Sequence, residues 1–107
     1  MNASLERQGF DFSIRVTELV KYLRENDRGF PLAEQLLICG MHAGLALRNG
    51  KRQGAAELVA QVDYMVEMAV VAGYLTPQQS VHIRADCENL RSVLSEKSKI
   101  EVEDELA

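Results

Sequence analysis

The sequence predicts an all-α protein: an up-down-up-down antiparallel four-helix bundle that assembles into a homo-oligomer. Three observations predict this. Apolar residues recur at helical spacing in four stretches, and no stretch alternates apolar and polar residues as a half-buried strand does. The breaks between stretches are short, which sets consecutive helices side by side and antiparallel. Two of the stretches carry more apolar surface than one core face can use.

The chain has 107 residues, which suits one domain with a limited core that association would extend. Hydrophobic content of 47% and charged content of 26% match ordinary water-soluble proteins. The net charge of -4 argues against a general nucleic-acid glue but permits a local basic patch. Two cysteines, Cys39 and Cys87, do not make a disulfide framework. The first ten residues lack the apolar run of a signal peptide, so a cytoplasmic location is expected.

The expected organisation is a flexible lead-in over residues 1–9, a bundle domain over 10–98 and an acidic, frayed tail over 99–107. The first helix is expected at about 11–26. Phe12, Val16, Leu19, Val20 and Leu23 form its single apolar stripe, with Ile14 and Tyr22 off it. Asn26, Asp27, Arg28 and Gly29 stop it, and Pro31 suits the first turn of a second helix at about 31–48. In that helix Leu32, Leu36, Cys39, Ala43 and Leu47 make a core stripe. Leu37, Ile38, Met41 and Leu45 make a second apolar side. Gly40 and Gly44 stand four apart on one flank. Glycine is costly inside a helix, so the pair signals close approach of a neighbouring helix.

Residues 49–54 form the next break. The third helix, at about 54–73, is the stretch around which the chain is organised. Leu58, Val62, Met65 and Ala69 line one side, widened by Val59, Val66 and Val70. Ala60, Tyr64, Met68 and Val71 stack nearly opposite, with Glu57, Gln61, Asp63 and Glu67 between the two stripes. Those charges exclude a membrane span, which needs about 20 apolar residues in a row. Gly73 suits the C-terminal cap. Thr76, Pro77 and Gln79 make a capping box for a fourth helix at about 77–98, with Ile83, Cys87, Leu90 and Leu94 as its stripe and Val93 at the edge. The second and third helices therefore carry the expected association surface: Leu37, Ile38, Met41, Leu45, Tyr64, Met68 and Val71.

The order of these residues resembles a known family. Phe10-Asp11-Phe12 with Lys21-Tyr22-Leu23, then Gln35-Leu36-Leu37 followed by Gly40 and Gly44, then Asp63-Tyr64 and Gly73-Tyr74-Leu75, are similar to the small bacterial four-helix bundle proteins. That family is also named after the intervening sequences of 23S ribosomal RNA genes. The resemblance covers roughly residues 10–94. The chain departs from it at Cys39-Gly40-Met41-His42, where the family has Ser-Gly-Thr-Ser, and at Leu45-Ala46-Leu47, where it has Ala-Asn-Ile. The resemblance implies a four-helix protomer in a homopentameric ring, with no assigned activity for most members. A distant relative is the accessory variability determinant of diversity-generating retroelements, a basic pentamer that works with a reverse transcriptase and nucleic acid.

Enzyme chemistry finds little support. Neither His42 nor His82 has a Glu three residues before it, as a bundle di-metal site requires. His82 and Asp86 lie one turn apart, a spacing that suits a surface hydrogen bond. Cys39 and Cys87 fall on core stripes, where thiols are inert, and Cys39 and His42 point to different sides. No phosphate loop or dinucleotide motif occurs. No catalytic residue, cofactor or metal is expected.

Arg48, Lys51 and Arg52 cluster at the turn between the second and third helices. Repeated around a ring, they would form a surface for phosphates. No aromatic residue lies within that turn to stack bases, and the acidic residues 101–105 return to the same end. The expected function is a non-enzymatic oligomeric scaffold or interaction protein. The alternative is an accessory protein to nucleic acid or to a nucleic-acid enzyme, acting through the basic turn.

Overall fold

Phe12, Val16, Val20 and Leu23 follow one another at helical spacing, and all are fully buried on the first helix, α1 (Asn2–Glu25). The computed structural model describes the backbone of residues 2–25 and 29–106 and the side chains of residues 5–25 and 29–95. The helix begins well before residue 11, so the segment expected as a flexible lead-in is part of α1. Leu5 and Gly9 extend the stripe by two turns. Leu5 is buried, and Gly9 packs so closely that a Cβ there would stand 2.8 Å from Leu47 Cδ1. A single leucine followed by a glycine is weak periodicity, and only the partner helix reveals its role. The expected stop at residues 26–28 lies outside the described residues.

The second helix, α2, spans Ala33–Arg48 and buries Leu36, Cys39, Ala43 and Leu47. Pro31 sits in the turn just before it, where Ala33 N–H donates to the Phe30 carbonyl at 3.1 Å. Gly40 and Gly44 face α1. A Cβ at Gly40 would stand 2.6 Å from Val16 Cγ1, and one at Gly44 would stand 2.9 Å from the Gly9 carbonyl oxygen. In the space they leave, Ser13 Oγ donates to the Gly40 carbonyl at 2.7 Å. The paired glycines thus do what their spacing predicts, and α1 is the neighbour they admit.

The third helix, α3, spans Arg52–Val71, and the fourth, α4, spans Pro77–Leu106. Both turns around α3 have the same chemistry. After α2, Gly50 at φ 73° lets Lys51 N–H reach the Ala46 carbonyl at 2.8 Å and Gly50 N–H the Leu47 carbonyl at 3.2 Å. After α3, Gly73 at φ 89° lets Tyr74 N–H reach the Ala69 carbonyl at 2.8 Å and Gly73 N–H the Val70 carbonyl at 3.1 Å. The capping box forms in both directions: Gln79 N–H donates to Thr76 Oγ1 at 3.2 Å and Thr76 N–H to Gln79 Oε1 at 2.8 Å. Gln79 Nε2 also donates to the Tyr22 hydroxyl at 2.7 Å, which ties the start of α4 to α1.

The four helices stand at the corners of a square in chain order, each against the next, with α4 closing against α1. This is the up-down bundle that short connections favour. The buried face of α3 centres on Val59, Val62, Val66 and Ala69, joined by Ala55 and Met65. Leu58 and Val70, expected on the stripe, are half-buried at its margins. A helix apolar on two sides leaves its rotation loosely specified, and the neighbouring helices set the final angle. On α4, Ile83, Cys87, Leu90 and Leu94 are buried as expected. α4 continues as helix to Leu106, through the segment expected as a tail.

Candidate functional site

The surface expected to carry association lies on the outer sides of α2 and α3. Tyr64 is 68% exposed and Val71 82%. Ile38, Met41, Leu45 and Met68 are also exposed, while Leu37 is half-buried against its own core. Leaving such side chains in water forfeits roughly 1.5–3 kcal/mol for each one that could be fully covered. Isolated exposed apolar residues are ordinary, but a set running along adjacent helices marks an interaction surface.

The structure adds residues that sequence reasoning placed elsewhere. Phe10 and Ile14 on α1 are exposed, and Val81 on α4 is exposed too. Phe10 was assigned no face, Ile14 was read only as lying off the core stripe, and Val81 had no apolar neighbour at helical spacing. The missed signal was the glycine contact: it brings α1 so close to α2 that their outer sides form one surface.

Polar groups organise the seam between α3 and α4. Asp63 is clamped from two turns of α4: Arg84 Nε donates to Oδ1 at 3.2 Å and an Arg91 terminal nitrogen pairs with Oδ2 at 3.5 Å. Arg84 also reaches Glu67 at 3.5 Å. Across the bundle, Arg15 of α1 pairs with Asp86 of α4 at 2.6 Å. Asp86 therefore serves an inter-helix ion pair rather than the hydrogen bond to His82 that their spacing suggested.

The thiols sit in contrasting places. Cys39 is buried, with Sγ 3.4 Å from Gln61 Oε1 and 3.8 Å from Gln35 Nε2, whereas His42 is exposed. Cys87 is fully buried. Burial pushes its thiol up from 9.0 to about 12, helped by the negative charges of Asp63 and Asp86 and opposed by Arg91 and Arg84. Neither thiol is placed as a nucleophile. Among the described residues no group of three or more His, Cys, Asp or Glu side chains could hold a metal ion. No helix is long and apolar enough to cross a membrane.

At the basic turn Lys51 and Arg48 are exposed and Arg52 is half-buried. The Arg48 guanidinium lies 5.9 Å from the centroid of the Phe10 ring. The fold thus brings an exposed aromatic ring beside the basic turn, although none lies within it in the sequence. The side chains of residues 101–105 lie outside the described residues.

No model of a known protein family matches the sequence, and no curated protein matches it either. A crystal structure does match: a protein of unknown function from the S23 ribosomal protein family of Bacteroides thetaiotaomicron VPI-5482. It superposes with a TM-score of 0.85 at 20% identity, covering 92% of this chain and 97% of that one. Element order, loop chemistry and this near-complete overlap agree: the fold of this chain is the four-helix fold of that S23 ribosomal protein family structure.

Proposed function

We propose that this chain is a member of the S23 ribosomal protein, or 23S rRNA intervening-sequence, family and that it acts as a self-assembling helical scaffold or interaction protein without chemistry of its own. The carrying observation is the run of outward apolar side chains on α2 and α3, above all Tyr64, Met68 and Met41. Copies of the chain cover these residues and enlarge a core that one small domain cannot. The resemblance in the sequence motifs favours a homopentameric ring. Tyr64→Glu or Met68→Glu tests the reading, because both positions are exposed and a charge there leaves the core intact. Each should convert the assembly to smaller species in sedimentation velocity, and an unchanged assembly overturns this surface as the interface.

A second reading is favoured by the contact between Arg48 and Phe10. Cations that hold phosphates, beside a ring that can stack a base, are the parts of a single-strand nucleic-acid site. An accessory role to nucleic acid or a nucleic-acid enzyme would use Arg48, Lys51 and Arg52. Replacing all three with Ser should abolish salt-sensitive binding to a single-stranded RNA. An intact protein that retains no RNA at low salt ends this reading.

A further inference from the structure

The outward apolar side chains are not spread evenly around the bundle. α1 and α2 form one side of the square, α3 and α4 the opposite side, and no diagonal pair touches among the described residues. On the α1–α2 side large side chains stand out as a ridge: Phe10, Ile14, Met41 and Leu45, each between 44% and 49% exposed. Arg48, lying over Phe10, adds positive charge to one end of the ridge. The α3–α4 side is concave. An open groove of about 1170 Å³ runs between the two helices, walled by the small side chains of Ala56, Ala60 and Ala85 with Val81 beside them. Glu57 and Glu88 also line it, and among the described residues neither is held by an ion pair.

We propose that the α3–α4 groove of one copy receives the α1–α2 ridge of a second copy of this chain. Large side chains meet small ones, so the two surfaces interlock. Arg48 meets a surface carrying Glu57 and Glu88, so the charges are of opposite sign. The inference rests on the self-assembly reading and adds its geometry. Because ridge and groove are different patches on opposite sides, the contact is head-to-tail, and every copy offers one of each.

Complementation between two defective variants tests this. Met41→Glu spoils the ridge and Val81→Glu spoils the groove, and both positions are exposed on the isolated chain. Should Met41→Glu lose its helical circular dichroism, Ile14→Glu on the same ridge replaces it. The parent protein should sediment as an assembly larger than its 12.0 kDa chain, and each variant alone as that monomer. An equimolar mixture should give a species of about twice the monomer mass and nothing larger, since one good ridge meets one good groove. A variant that still assembles alone overturns the ridge-and-groove contact, as does a mixture that stays monomeric while the parent assembles. A parent that is monomeric at every concentration overturns the self-assembly reading, and this contact with it.

Discussion

Cys87 shows how burial decides chemistry at a single residue. Its thiol is enclosed, two carboxylates face it, and its ionisation is pushed up to about 12. The neutral thiol therefore persists in the fold at pH values where the unfolded chain has already lost its proton. The sign follows: below about pH 9 this group costs nothing, and as pH rises from 9 toward 12 the unfolded state binds fewer protons and stability falls. The slope approaches about 1.4 kcal/mol per pH unit at most. Cys87 should resist alkylation at pH 8 in the folded protein and react on unfolding, which mass spectrometry of labelled peptides would read. Rapid labelling of the native protein would contradict this burial. The sequence placed Cys87 on a core stripe correctly. It did not show the clamp of Arg84 and Arg91 on Asp63, because those residues are distant in the chain and meet only when α3 and α4 pack.

The helices themselves were largely legible. Period, capping box and cap glycines located all four, since each of these signals acts over a few residues. The start of α1 was not legible, because Leu5 and Gly9 gain their meaning from Leu47 on another helix. The glycine pair of α2 was legible as a contact, though not its partner. Gly40→Ala should destabilise the protein by about 1–3 kcal/mol, because the added methyl would press into the Val16 side chain. Denaturant unfolding would measure this. A neutral result would mean that α1 can shift away from α2 without loss. The rotation of α3 was predicted only approximately, with Leu58 placed in the core and Ala55 overlooked. Two apolar sides on one helix do not say which will face inward.

For the whole molecule, the bundle measures 53 × 22 × 19 Å, thin enough that every helix keeps an outer side. Covering those sides by association ties stability to mass action. The melting temperature should rise with protein concentration, as scanning calorimetry over a hundredfold range would show. A melting temperature independent of concentration would contradict assembly as a source of stability. The sequence by itself determined the fold class, the number and order of helices, the turns between them and the excess of apolar surface, because all of these follow from local spacing and composition. Only the tertiary structure decided where that excess lies. It joined Phe10 and Ile14 to the outer side of α2, set Val81 beside the α3–α4 groove and brought Phe10 under Arg48. The physical reason is that a surface is shared between helices, and which residues share it depends on how closely and at what rotation those helices pack.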